Sequence, residues 1–423
     1  MGKWLQKLLL FSYFFLMIYK PEFIFFYPSV NTFFGLVGLC FYFMNFTSKK
    51  VLIYEKGFGV KPVLQTYYPV LVFCVLSIIV NMSSDLHYVR YFISLVLFYF
   101  MAYLGAWGFY KVYGEITPKK VTDFFIAAAL LHLGVSLARF AVPSVNDFIT
   151  SLIRMSEADK LGMEHTAGGR LQGFGAAFFT SGIINGFILI MIAFTYYTEK
   201  LSSLTRIIYL VSFVVIFVIG LMNARTIMIG GGIGAVILFL AFLKGGGINV
   251  LKSIVMVGVA AIVLFWSSSK VLTTSDIDFE LLSDFGFELF RAMESGEGTR
   301  TTDIMISQYS ILPDNPKTWI IGDARWTGDK GWDYYGGTDI GFGRNLFYFG
   351  IIGSILLYLY NYNILKITFR RRNFFGKTTK YVVAVLFIYT LILNAKGPAD
   401  LYFYVLPYYF CMRKGPHFNL ITR

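Results

Sequence analysis

The sequence predicts an all-α fold, a polytopic transmembrane helix bundle of about twelve spans with a large external loop holding short helices between spans nine and ten. Three observations carry that prediction. The 423 residues are 57% hydrophobic and only 14% charged, with mean hydropathy +0.64, and a soluble chain of that composition would aggregate through its surface. Apolar runs such as Pro62–Val80, Phe92–Tyr110, Gly186–Tyr197, Ile207–Met222, Ile227–Leu243 and Ile254–Trp266 lie close together, most of them near the roughly 20 residues that cross hydrocarbon as a helix. The net charge of +13 also sorts by membrane side, so it points away from nucleic acid and towards topology.

The first span is 8–19. Met1-Gly2-Lys3 followed by apolar Leu8–Tyr19 has the charged and apolar regions of a signal peptide, but Tyr19, Glu22 and Phe23 stand where small residues would allow cleavage, so the segment reads as retained. Further spans fall at 23–44, 63–81, 89–110, 122–141, 173–197, 205–222, 225–243, 250–268, 343–366, 378–394 and 398–412. The last is short and contains Pro407; either it is tilted or the count is eleven, and the basic Arg413-Lys414 end favours twelve with both termini inside. On that topology 22 of the 37 basic residues face the cytoplasm and 20 of the 24 acidic ones face outward. The chain thus divides into a bundle over 1–266 with an external loop at 143–172, a large external loop at 267–342, and the remaining spans and C-terminus over 343–423. Within the large loop, apolar positions across Asp284–Tyr309 fit helices with one apolar face. Cys40, Cys74 and Cys411 lie in apolar segments without metal or disulfide spacing and read as packing residues.

An ionisable side chain at a membrane boundary or inside it is a candidate functional group. Arg139, Arg170, Arg225, Arg344 and Lys396 share the external depth, against the positive-inside trend. Two readings are open for each: snorkelling to head groups or tying a loop, or binding an anion. Five together suit a lipid-linked anion, diphosphate above all, since a guanidinium binds phosphate bidentately. The large loop offers carboxylates for a general base: Asp303 beside Arg300, the Asp323/Arg325 pair, and Asp339 five residues before Arg344. Its other acids read as a solvated surface. Trp326, Trp332 and Tyr334 suit stacking on sugar rings or, equally, a membrane interface or loop core. Gly230-Gly231-Gly232-Ile233-Gly234 lies in an apolar span and reads as close helix packing rather than a nucleotide loop. His132 reads as a hydrogen-bonded bundle residue, and His165 is a weak site candidate. No metal ligand set and no cofactor motif stands out.

Several short motifs, in order, resemble a known family. Gly298-Thr299-Arg300-Thr301-Thr302-Asp303, Ile320-Ile321-Gly322-Asp323 and the run Thr338-Asp339-Ile340-Gly341-Phe342-Gly343-Arg344-Asn345 resemble the last large periplasmic loop and following helix of bacterial O-antigen polymerases. Gly169-Arg170-Leu171-Gln172, Asn223-Ala224-Arg225-Thr226 and Asn394-Ala395-Lys396-Gly397-Pro398 resemble further segments of that polymerase and ligase superfamily. The resemblance implies a metal-independent glycosyltransferase of the bacterial inner membrane, acting on undecaprenyl-diphosphate-linked oligosaccharides at the outer face, with a polysaccharide chain-length regulator as an expected partner. It would place Arg170, Arg225 and Arg344 on diphosphate, and Arg300, Asp303 and Asp339 near the reacting sugars. The ligase branch, which transfers glycan to lipid A core, characteristically carries a histidine in the large loop; 267–342 has none, which favours the polymerase. A flippase for the same lipid is the alternative from another class. It needs polar groups deep in a central cavity, and the spans offer little beyond His132 and a few Ser, Thr and Asn.

Overall fold

A computed structural model describes residues 2–27, 29–47, 59–154, 170–176, 178–244, 300–329, 333–370 and 375–411. Among the described residues the chain forms fourteen α-helices: α1 Lys3–Tyr19, α2 Val30–Thr47, α3 Val60–Asn81, α4 His87–Tyr113, α5 Pro118–Ala141, α6 Pro143–Leu152, α7 Phe178–Thr198, α8 Ser203–Asn223, α9 Ile227–Lys244, α10 Arg300–Tyr309, α11 Pro316–Ile320, α12 Gly341–Phe369, α13 Thr379–Asn394 and α14 Tyr402–Tyr409. No strand forms among them; Phe23–Ile153 and Thr327–Tyr334 make isolated antiparallel bridges. The protein is an all-α membrane bundle.

Eight of these helices are long and apolar enough to cross a membrane: α3, α4, α5, α7, α8, α9, α12 and α13 with its lead-in turn. The reason is visible in their outward faces. Val72 and Ile79 of α3 and Val236 and Leu243 of α9 are more than half exposed, an arrangement that hydrocarbon accepts and water does not. By contrast α7 is apolar all round and buried all round, with Ile188 to Ala193 wholly enclosed, the pattern of a central helix.

Four details differ from the sequence-based expectation. Helix α7 starts at Phe178, five residues later than the predicted span, because 170–176 runs as irregular chain. The segment at 143–172, expected as an external loop, opens with the amphipathic α6. Helix α14 has only eight residues with Pro407 inside it, so it is not a full-length crossing helix. Of the cysteines, Cys74 and Cys411 are buried but Cys40 is exposed on α2. The predicted ninth span, 250–268, lies outside the described residues.

The chain separates into two compact units, each discontinuous in sequence: unit 1 is Met1–Tyr13, Pro28–Val121 and Arg300–Arg423, and unit 2 is Phe14–Tyr27 and Thr122–Thr299. In unit 2, α7 packs on α8 and α9. Gly230 of α9 rests on the backbone of Gly186 of α7, where a Cβ would overlap it, so the glycine-rich run brings two helix backbones together, as small residues do in membranes.

In unit 1, α12 packs on α3, α13 and α14, and it is broken. At Gly350 the backbone takes φ 65°, ψ −168°, a conformation essentially confined to glycine. The break interrupts the helical hydrogen-bond ladder and frees carbonyls of the preceding turn, which need partners in an apolar surrounding. Asp323 and Ala324, in the strap 322–324, supply them. Asp323 N–H donates to Phe347 C=O at 2.7 Å and Ala324 N–H to Tyr348 C=O at 3.1 Å. Gly322, itself at φ 76°, lets the strap lie flat against Tyr348, and a Cβ on Gly350 would overlap Ile320. Gly350→Ala is expected to lower the thermal midpoint in detergent, consistent with a cost on the order of 1–3 kcal/mol for the strained backbone alone. Gly232→Ala, which meets open space, should not lower it, and equal midpoints for the two variants would refute this role for Gly350.

Candidate functional site

The strap that docks on α12 continues to Trp326, and the end of α3 together with the turn before α4 holds its outer side. Ser77 Oγ donates to Ile321 C=O at 3.0 Å, Asn81 Nδ2 to Gly322 C=O at 3.0 Å and Ser83 Oγ to Ala324 C=O at 2.6 Å. Asp85 takes the next group: its Oδ2 accepts Trp326 N–H at 2.6 Å while Oδ1 accepts His87 N–H at 2.9 Å at the start of α4. Ser77 and Asn81 stand one turn apart at the end of α3, and Ser83 and Asp85 follow in the turn beyond it, so together they fasten the strap from Ile321 to Trp326.

Fixed in this way, Trp326 carries Arg344. The guanidinium carbon lies 3.7 Å from the Trp326 ring centroid and 4.3 Å from that of Tyr334. His87 stacks on Trp326 at 4.1 Å and 12°. Nη2 of Arg344 donates to the Trp326 carbonyl at 3.0 Å, and its Nε–H is buried without an acceptor. Arg344 is 8% exposed. A cation so enclosed is held by aromatic faces rather than by a contacting carboxylate, and it keeps a directional donor unspent. Trp326 and Tyr334, expected as sugar platforms, are engaged by this cation.

Asp339 lies two residues ahead of α12, half-buried, with its backbone N–H towards Gln308 Oε1 at 3.4 Å. Burial raises its carboxyl above the ordinary carboxylate range, against the opposing pull of its own backbone N–H, Arg344 and Lys396. Lys396 is in the turn after α13, where Ala395 C=O accepts a hydrogen bond from the Tyr309 hydroxyl of α10. The first residue of α12 sits against the same turn, since a Cβ on Gly341 would meet Asn394 Oδ1 and Gly397 C=O. The structure therefore gathers Arg344, Asp339, Lys396, Trp326 and Tyr334 in unit 1. Arg300 and Asp303 open α10, and their side chains lie outside the description, as do Trp332 and His165. The expected Asp323/Arg325 pair does not form. Asp323 pairs with Lys317 at 3.1 Å and accepts from Thr318 and Tyr335, while Arg325 pairs with Asp329 one helical-turn spacing on.

Unit 2 brings Arg170 and Arg225 onto adjacent segments, because Leu171 N–H donates to Met222 C=O at 3.1 Å and the two residues share a small core with Leu137, Phe140 and Ile219. Arg139 is built differently. Nε and Nη2 donate to Asn146, Nη2 also to Thr150 and Gln172, and Nη1 to Gly173 C=O at 2.7 Å. It ties α6 and the 170–176 segment to α5, the loop-tying role that was one of its two readings. His132 is the bundle residue expected, stacked on Tyr19 at 3.9 Å with Nε2 against Ala176 C=O at 3.2 Å.

Two features escaped the sequence reading. Asp85 and His87 precede and open a helix, a signal that reads as an N-terminal cap and says nothing of the strap it fastens. The interior of unit 1 is lined by tyrosines that composition counts as hydrophobic. Tyr88 OH donates to Asn345 Oδ1 at 2.5 Å, Asn345 Nδ2 faces Tyr358 OH at 3.0 Å, and Tyr67 OH donates to Tyr88 C=O at 2.9 Å. The span interior is thus more polar than its scattered Ser, Thr and Asn suggest.

No protein-family model matches the chain, and neither a curated protein nor a solved structure matches it. Asn223, next to the Arg225 turn, is wholly buried with neither side-chain polar atom hydrogen bonded. An unpaired buried amide costs about 1–3 kcal/mol, so Asn223→Leu, of similar volume, is expected to raise the thermal midpoint; a lowered midpoint would show that the amide is satisfied in the membrane.

Proposed function

We propose that the protein is a membrane glycosyltransferase that polymerises undecaprenyl-diphosphate-linked oligosaccharide repeat units into O-antigen or capsular polysaccharide at the outer face of a bacterial inner membrane, with both termini in the cytoplasm. The single observation that carries the reading is Arg344: a buried cation with its planar face clamped, its Nε–H unspent, and a half-buried carboxyl group, Asp339, near enough to feel both it and Lys396. The order of the arginine-bearing motifs around one long loop supports the same reading.

The chemistry divides between these groups. An acceptor sugar hydroxyl attacks the anomeric carbon of the donor, the new C–O bond forms as the bond to the diphosphate oxygen breaks, and the hydroxyl proton passes to a carboxylate. Asp339 suits that task because its raised pKa brings a carboxylate nearer to neutrality as a base. Asp303 on α10 is the other carboxylate in line for it. The leaving diphosphate gains charge as the bond breaks, and Arg344 and Lys396 oppose that charge in a low-dielectric site. If about 3 kcal/mol of this attraction is felt only in the transition state, the rate rises roughly 10²-fold. Arg170 and Arg225 offer further guanidinium groups of the kind that bind phosphate.

Deleting the gene in its host should leave single repeat units on the acceptor and no long chains; long chains accumulating on the lipid carrier would instead mean a ligase, and units trapped on the cytoplasmic face a flippase. Complementation with Arg344→Gln should cut polymer formation roughly 10²-fold in stably inserted protein, and undiminished chain length would sink the reading. The pH dependence gives a sharper check. A base must be ionised, so activity should rise with pH through an acid limb that lies above the ordinary carboxylate range. Lys396 favours the ionised form of Asp339, so Lys396→Gln should move that limb to higher pH and Asp339→Asn should abolish it.

A further inference from the structure

Asp85 belongs to no motif and touches none of the cations, yet it connects the α3–α4 turn to Arg344 through one residue. Its two carboxylate oxygens take the backbone N–H of His87 and the backbone N–H of Trp326. Those two residues stack ring on ring, so one carboxylate sets both partners of the stack. Trp326 then receives Arg344 twice, on its ring at 3.7 Å and on its carbonyl at 3.0 Å. On its other side Asp85 accepts the Tyr348 hydroxyl on its backbone carbonyl at 2.9 Å, from the very turn of α12 whose own carbonyl is capped by the strap. Removing the carboxylate leaves the Trp326 N–H unpaired in a half-buried position and releases the platform under the guanidinium.

We infer that Asp85 is a positioning residue for the phosphate-binding site proposed above: it acts on bound diphosphate through Trp326 and Arg344, without touching the ligand. The inference rests on the reading of Arg344 as a diphosphate ligand. It adds a residue of opposite charge to the expected cations, one that a search for phosphate ligands would pass over.

The test is a double-mutant cycle on the full-length protein in nanodiscs, with polyprenyl diphosphate as probe and binding measured as an apparent Kd. Asp85→Asn, which keeps one acceptor oxygen for His87, is expected to weaken binding about tenfold, the loss of one charge-assisted hydrogen bond. Arg344→Gln should weaken it more. In the double variant the Asp85 change should add nothing beyond the Arg344 loss, because both act through one guanidinium. Asp85→Ser serves as the second variant: it retains a cap for α4 but is too short to hold the Trp326 N–H, and it should weaken binding as Asp85→Asn does. Multiplying losses in the double variant, or unchanged binding in both Asp85 variants, would overturn the inference while leaving the diphosphate reading intact. Wild-type binding that Arg344→Gln does not change would overturn the diphosphate reading itself and the inference with it.

Discussion

Phe347 and Tyr348 carbonyls in the middle of a membrane helix have lost their helical donors to the break at Gly350, and in hydrocarbon such groups cannot turn to water. Asp323 and Ala324 meet that demand with their own N–H groups. Much of unit 1 follows from this exchange. The strap must lie where the freed carbonyls are, the end of α3 and the turn after it fasten its far side with Ser77, Asn81, Ser83 and Asp85, and Trp326 emerges at one defined place. Arg344 then finds two aromatic faces and a carbonyl within reach at the start of the same helix. A loop that composition alone would leave on the surface becomes part of the wall of a helix, because backbone donors are the scarcest component in that environment.

Arginines at similar sequence-predicted depth are stabilised in two different ways. Arg139 spreads its charge over Asn146, Thr150, Gln172 and Gly173, neutral acceptors for all three of its guanidinium nitrogens. Such a group is a tie between chain segments, and an incoming anion would have to displace bonds already made. Arg344 is held by ring faces, which attract its charge but accept little of its directional hydrogen bonding. It remains chemically hungry in the plane of the guanidinium. Identical residue types at helix ends are thus left in opposite chemical states, and the difference lies in what packs around them.

The spans were legible because hydropathy is a local property: α3, α4, α5, α8, α9, α12 and α13 sit where apolar runs predict them, and the glycines of α9 signalled close packing before any neighbour was known. The break in α12 was not legible. Gly350 lies in a run that reads as continuous helix, and its partner, the strap at 322–324, is far off in sequence. The site was half legible for a related reason. Arg344, Asp339 and Lys396 stood out as charges where charge is costly, but Asp323 and Arg325 looked paired by spacing and instead found Lys317 and Asp329. Asp85, His87 and the tyrosine network were missed because helix-start and apolar signals describe a residue's own segment, whereas their importance comes from the segment they face.

Gly322 and Gly350 wall each other in. A side chain on the first would strike the backbone at Tyr348, and one on the second would strike Ile320. Neither clash is relieved by trimming a side chain elsewhere, since both obstacles are main chain. The two positions therefore form a single heritable character. Among descendants of a common ancestor they should be retained as a pair or lost as a pair with the strap itself, and a lineage in which one alone has drifted would need to have rebuilt the helix break by another route.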